Sequence, residues 1–368
     1  MSKASIPFDH LERMTDDTGL IEHSLGRIPR RKEGYSTDDN ARGIWTCIEW
    51  LKLLGDNHST ESRRLYRLLD RYLAFLLWAQ HEDGWFQNNF HYDRTPETES
   101  RSEDCFGRSF WAAAVVYVHL DDEARVCVAS EILKKALPAS QQLRFLRGQA
   151  WVLAASSLLL TRKKEHGNHT ALDEGALRNL AAMYEENLIN AYKANQSSEW
   201  KWFEPQMTYA NGLLPWALFM SFRVQKRQET MEAAKDSLDF LISKMDGKDG
   251  VIRPIGNRGW CDQQKRAIWD QQPVDVMKLC LAAKEAYQEL KEPNYLNVVR
   301  RCSDWFYGKN DLRLPLADPS DGSCQDGLNQ NGVNPNRGAE STLSYLLTEA
   351  FAHSLLATDE AVSSSPTA

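Results

Sequence analysis

Thr37-Asp38-Asp39-Asn40-Ala41-Arg42-Gly43-Ile44-Trp45 is the stretch on which the reading of this chain turns. A hydroxyl and two acids stand ahead of an apolar helical run. Such residues cap free amide hydrogens and complement the positive end of a helix dipole. One acid would satisfy that role; two in succession, followed by an amide, imply a second duty. The pattern recurs. Ser102-Glu103-Asp104 opens another apolar run, with Arg108 placed to pair with Asp104 one turn on. Asp270-Gln271-Gln272-Pro273 puts proline in a first helical turn, where its missing donor costs nothing. Asn336-Arg337-Gly338-Ala339-Glu340-Ser341 leads into a last helix, and Trp202-Phe203-Glu204, with Tyr209 and Asn211, precedes yet another. Polar helix starts of this kind, accompanied by Trp, Tyr, Arg and amide side chains, point to one cleft assembled from many helix N-termini.

Helical periodicity dominates the remainder. It predicts eleven helices, over about 40–55, 60–81, 104–119, 121–136, 139–161, 172–194, 212–225, 228–245, 273–289, 293–308 and 338–356. Between them lie aromatic loops with Asp-Gly turn signals, such as Asp83-Gly84-Trp85-Phe86 and Asp249-Gly250-Val251-Ile252. Their recurrence suggests a loosely repeated helix hairpin. No Ser/Pro/Gly-rich linker divides the chain. The expectation is therefore one all-α domain over 1–358, with helix pairs closed into a ring, and a disordered tail over 359–368. An open solenoid would show a tighter repeat. In a ring, the inner helices run parallel and gather their N-termini at one end. The long polar loops 15–40, 84–104, 196–211, 246–272 and 309–338 would line a pocket there.

Composition narrows the partners. The 368 residues carry 42% hydrophobic side chains, enough for a sizeable core, and a net charge of −7, which argues against nucleic acid or an anionic membrane. The 12 Trp serve either core packing or stacking on sugar faces. Seven Cys, an odd number with no CxxC, most of them inside apolar helical runs, suggest reduced thiols in a cytoplasmic protein. The N-terminus has no apolar segment of signal-peptide type, and no run has the length of a membrane span. His166-Gly167-Asn168-His169 lacks a third ligand nearby, so no metal is expected; no nucleotide, serine-hydrolase or zincin motif occurs, and no cofactor is implied.

Gly34-Tyr35-Ser36-Thr37-Asp38-Asp39-Asn40-Ala41-Arg42, Ser102-Glu103-Asp104, Trp202-Phe203-Glu204, Asp270-Gln271-Gln272-Pro273 and the run from Gly332 to Leu343 together resemble a bacterial family. Its members are stand-alone proteins or C-terminal domains of glycosyltransferases, and look like six-hairpin (α/α)6 glycosidases. The resemblance implies a toroid and carbohydrate chemistry. Relatives often carry Tyr-Asp-Asn where this chain reads Tyr209-Ala210-Asn211, so position 210 supplies no acid here.

The expected activity is hydrolysis of an oligosaccharide or glycoside by two carboxylates flanking the scissile bond, one protonated and one ionised. Asp39 or Asp104, each at a helix N-terminus, suits the base; Glu204, among aromatic rings, suits the acid. Asp17, His23, Tyr35, Asp38, Arg42, Glu103, Arg108, Trp202, Tyr209, Asn211, Trp260, Asp270, Gln271, Gln272, Asn336 and Glu340 are expected to bind the sugar. A sugar epimerase or lyase on the same toroid is the alternative, with His23, His91 or Tyr209 as base and Arg42, Arg108 or Arg258 facing a uronate. A glycan-binding protein with an inactive cleft is the third. Paired acids argue against it, since binding hydroxyls needs no second acid at the same helix start.

Overall fold

The computed structural model describes residues 6–55, 59–161 and 172–363, and the side chains among them as far as Leu355. The His166–His169 loop and residues 364–368 lie outside the described residues. Twelve α-helices account for most of the described chain: α1 (Asp9–Met14), α2 (Thr37–Leu54), α3 (Thr60–Ala79), α4 (Glu103–His119), α5 (Glu123–Ala136), α6 (Leu146–Leu160), α7 (Glu174–Asn195), α8 (Leu213–Gln225), α9 (Gln228–Met245), α10 (Pro273–Leu290), α11 (Pro293–Phe306) and α12 (Ala339–Ser363). The short α1 has no counterpart among the eleven expected helices. Helix α12 takes in residues 359–363, which composition assigned to the tail.

The helices fall into two classes by burial. In α3 the buried positions Leu65, Leu68, Leu69, Tyr72, Leu73 and Leu76 recur at three- and four-residue spacing, one stripe facing inward. In α2 every residue from Asp39 to Leu51 is buried, and in α8 every residue from Leu213 to Ser221. A helix buried all round belongs inside. Accordingly α2 packs on α4, α4 on α6, α6 on α8, α8 on α10, α10 on α12, and α12 back on α2, closing an inner ring. Helices α3, α5, α7, α9 and α11 each lie against an inner neighbour as the outer layer. Close approach needs small residues: a Cβ on Gly107 of α4 would lie 2.6 Å from the Trp151 Cβ, and one on Gly212 would lie 2.2 Å from the Lys278 carbonyl oxygen.

The axis of the ring is plugged by indoles. Trp45, Trp111, Trp151 and Trp216, one each from α2, α4, α6 and α8, meet edge to face, with centroids 5.5 Å apart for Trp45–Trp111, 4.8 Å for Trp111–Trp216 and 5.6 Å for Trp151–Trp216. Phe351 of α12 packs on Trp45 at 5.5 Å, and the Lys278 ammonium of α10 sits 3.9 Å from the Trp151 centroid. All six inner helices thus contribute to one plug, and a cleft lies at the end above it, where the inner helices begin. Among the described residues, four two-stranded antiparallel ribbons decorate the toroid; Tyr35–Ser36 with Asn89–Phe90, and Gly327–Asn329 with Gly332–Asn334, flank that end.

Candidate active site

Each inner helix opens at the same end because an outer helix returns the chain after every pass. The resulting cleft has a volume of about 510 Å³. Its wall takes Asp38, Asp39 and Arg42 from α2; Asp104 and Arg108 from α4; Gln272 from the lead into α10; and Glu340 and Ser341 from α12. Ser36 and Ser102, which cap α2 and α4 through the Asp39 and Cys105 amides, stand beside them. Glu22, His23, Asn88, Tyr209, Asp326, Asn334 and Gly338 come from loops.

Acids sit in the first turn and cations one turn deeper, as i,i+3 or i,i+4 spacing dictates. Arg42 Nη1 donates to Asp39 Oδ1 at 2.5 Å, and its Nη2 to Glu340 Oε2 at 2.6 Å, tying α2 to α12. Arg108 Nη1 donates to Asp38 Oδ2 at 2.5 Å, tying α4 to α2, while its Nη2 lies 3.9 Å from Asp104 Oδ2. Consecutive residues on a helix point about 100° apart, so Asp38 faces α4 and Asp39 faces α12. Asp275 and Lys278 of α10 repeat the acid–cation spacing below the floor, both fully buried.

Burial sets the proton affinities. Desolvation, reinforced by the charges of Asp39 and Asp38, pushes Glu22 up to about 8. Glu22 is anchored by its backbone: its N–H donates to Gly34 O at 3.0 Å, and its carbonyl accepts from Ala339 N at 2.9 Å. This strap fixes the carboxyl between the starts of α2 and α12, with His23 Nε2 3.5 Å away. Desolvation also raises Asp39, against the pull of Arg42, and Asp326, against a hydrogen bond from the Gly338 amide. Asp275 is raised by burial to about 7, although Ala210 N donates to it at 2.7 Å. Lys278 is lowered by burial and then by Arg108 and Arg42.

Of the residues expected from sequence, His23, Asp38, Asp39, Arg42, Asp104, Arg108, Tyr209, Gln272 and Glu340 line the cleft. The others are placed elsewhere, for local reasons. Both Glu204 oxygens accept from Arg147 Nη1 at 3.1 Å, so an ion pair rather than an apolar cage surrounds this carboxylate. Glu103 turns sideways and caps α6, accepting from Arg144 N at 2.9 Å and Phe145 N at 2.8 Å. The segment into α10 is extended, which sends alternate side chains to opposite sides. Gln272 therefore enters the cleft, while Gln271 is buried and donates to Asp311 Oδ2 at 2.7 Å. Asp270 pairs with Arg258 at 3.1 Å. Trp202 is fully buried, and Trp260 packs half-buried on the core. Tyr35 is buried and donates to Asp16 Oδ2 at 2.7 Å; Asn211 donates to Thr208 O at 2.8 Å; Asn336 accepts from Gly26 N at 3.3 Å; Asp17 is exposed and pairs with Arg94 at 3.1 Å. Of the other bases considered, His91 lies off the cleft wall, near Glu97 at 3.4 Å.

Sequence reasoning did not assign Glu22, Asp326, Asp275 or Arg147. Glu22 stands beside His23 in the chain, and that adjacency was its only signal. Among the described residues, no group of three or more His, Cys, Asp or Glu is placed to hold a metal ion. No helix there is long and apolar enough to cross a membrane.

No protein-family model matches the sequence, and no curated protein matches it in sequence. Solved structures do match in shape. A cellobiose 2-epimerase from Spirochaeta thermophila superposes with a TM-score of 0.69 at 14% identity, over 95% of this chain and 92% of that one. The fold is the (α/α)6 toroid. A D-mannose isomerase gives 0.68 at 12% identity, over 95% of this chain and 94% of that one. A GH76 α-mannanase from Bacteroides thetaiotaomicron gives 0.61 at 12%, over 95% of each chain. Coverage is nearly complete in both directions, so the toroid described above is the whole of the shared architecture.

Proposed function

We propose that this protein is a carbohydrate-processing enzyme, a glycoside hydrolase acting on an oligosaccharide or glycoside, with Glu22 as general acid and Asp104 as general base. The observation that carries the reading is the density of carboxyl groups in one cleft: Glu22, Asp38, Asp39, Asp104, Asp326 and Glu340, against a single histidine. Glycoside hydrolysis needs two carboxyl groups in opposite protonation states at neutral pH. Glu22, pushed up to about 8, holds the proton. Asp104 lies in the first turn of α4, where the helix dipole favours the anion. Asp38, Asp39 and Glu340, held by Arg108 and Arg42, supply acceptors for sugar hydroxyls. Glu204 becomes a partner of Arg147 rather than the acid. Seven unpaired cysteines support a cytoplasmic setting.

Epimerisation is the second reading, favoured by the likeness to cellobiose 2-epimerase and D-mannose isomerase. It would use His23 or Tyr209 as the base. A lyase acting on a uronate fits less well, because Arg42 and Arg108 already face two carboxylates each.

One experiment separates the two. Mannobiose, cellobiose and a panel of 4-nitrophenyl glycosides are incubated with the protein in D2O. The hydrolase reading expects new reducing ends and no deuterium on carbon. Deuterium at C2 with the glycosidic bond intact would establish the epimerase instead. Inertness toward every compound that an oligosaccharide hydrolase of this class accepts, with intact binding, would leave the glycan-binding reading.

A further inference from the structure

Tyr209 faces the cleft, and its hydroxyl donates to Asp104 Oδ2. The segment that carries it is gripped from two sides. Arg147, in the first turn of α6, donates from Nε to the Tyr209 carbonyl at 2.8 Å and from Nη2 to Thr208 Oγ1 at 2.9 Å. Its Nη1 is held by both Glu204 oxygens at 3.1 Å, and its guanidinium lies 4.6 Å from the Tyr209 ring centroid. From α10, Asp275 Oδ1 accepts the Ala210 amide at 2.7 Å. Between the two grips Ala210 has a φ of 50°, a left-handed conformation that an alanine takes up when its surroundings impose it. Nothing here is adjustable: Arg147 is a planar fork with its donors committed to three residues of one loop.

We propose that Arg147, Glu204 and Asp275 are positioning residues which set the Tyr209 hydroxyl on Asp104, and that this hydroxyl orients Asp104 for its work as base. The inference deepens the hydrolase reading and rests on it. With Oδ2 engaged by the phenol, the plane of the Asp104 carboxylate is fixed. Its Oδ1 is buried and has no hydrogen-bond partner among the described residues, so the proton from water is taken on the Oδ2 side, where the phenol holds the carboxylate toward the cleft. The proton then resides on Asp104 while the attacking hydroxyl bonds to the anomeric carbon and Glu22 protonates the leaving oxygen. Three helices, α4, α6 and α10, converge on one hydrogen bond.

The test uses the full chain and two readouts. On the 4-nitrophenyl glycoside that the wild-type protein cleaves fastest, Tyr209→Phe lowers kcat on the order of 10–100-fold with KM within about twofold, the value of one hydrogen bond to a charged group. Arg147→Met does the same, and Arg147→Lys restores part of the loss. The second readout needs no substrate. In protein labelled with 13C at the tyrosine ζ carbon, the Tyr209 signal is assigned by its disappearance in Tyr209→Phe. That signal moves in Asp104→Asn and in Arg147→Met, and stays in place in Asp38→Asn. A Tyr209 signal indifferent to Asp104→Asn overturns the inference, as does full turnover in Tyr209→Phe beside an inactive Asp104→Asn. Full turnover in Asp104→Asn with the signal moved leaves the clamp standing and removes Asp104 as the base.

Discussion

Glu22→Gln removes a proton site from the cleft while keeping its shape, so its effect must depend on pH in a fixed direction. In the unfolded chain a glutamate titrates near its ordinary value of 4.5; in the fold, burial and the nearby Asp39 and Asp38 push it up to about 8. The folded state therefore binds the proton more tightly. That contribution is fully present below about 4.5 and is lost progressively as pH rises through 8. The interval of about 3.5 units corresponds to about 5 kcal/mol at 1.36 kcal/mol per unit. Solvent screening of a side chain that is 31% exposed brings this to about 2 kcal/mol. Glutamine mimics the protonated acid at every pH. Wild type and variant should then unfold at the same urea concentration at pH 4.5. At pH 9 the variant should be more stable by about 2 kcal/mol, because only the wild type must hold an ionised carboxylate there. The raised Asp275 is common to both proteins and cancels in the difference. Turnover changes the opposite way: without the acid, hydrolysis of an unactivated glycoside falls on the order of 10²–10⁴-fold, and recovers in part when the leaving group needs no proton. Equal pH dependence of unfolding in the two proteins would refute the placement of a protonated carboxyl at this position.

Three further outcomes follow from the same geometry. Arg42→Met leaves the buried Asp39 without its cation and should cost about 3–5 kcal/mol at neutral pH; the loss should shrink toward acid, where Asp39 takes a proton, and urea unfolding at pH 5 and pH 8 checks this. Lys278→Met replaces an amine packed over Trp151 with an apolar chain of similar length. Burial lowers the folded-state proton affinity of Lys278, so wild-type stability rises with pH; Lys278→Met should be the more stable protein, most clearly below neutrality, with the difference closing as pH approaches about 10. Native alkylation followed by mass spectrometry should label Cys127, the exposed thiol, quickly and the six buried cysteines only after unfolding; a disulfide in freshly purified protein would contradict this.

The helix starts were readable because their physics is local. Asp38, Asp39, Asp104 and Glu340 are capping-type acids at the front of apolar runs, and a closed ring of alternating inner and outer helices brings such fronts together. Gln272 was readable for the same reason, whereas Gln271, one residue earlier, was not distinguishable from it until the extended path of the backbone assigned each to its side. Trp202 and Glu204 misled in opposite ways. Loop aromatics looked available for stacking, yet Trp202 fills the core, and Glu204 found an arginine 57 positions away in sequence. Glu22 was hidden because its place depends on a strap between Gly34 and Ala339, contacts that no short window of sequence contains. Arg147 sits in a helix start with no acid to advertise it, and its role exists only once the loop after Glu204 folds back onto α6.

The most direct test of the central claim is a crystal structure of the Glu22→Gln variant with an oligosaccharide bound across the cleft. The account predicts the glycosidic oxygen within hydrogen-bond reach of residue 22, and Asp104 on the far side of the same sugar ring. With Asp104 activating water, the two carboxyl groups should stand roughly 6.5–9.5 Å apart, the spacing of inversion; roughly 5 Å would make Asp104 a nucleophile instead. A sugar bound in open-chain form, with its C2 beside His23 or the Tyr209 hydroxyl and no glycosidic oxygen between Glu22 and Asp104, would contradict it.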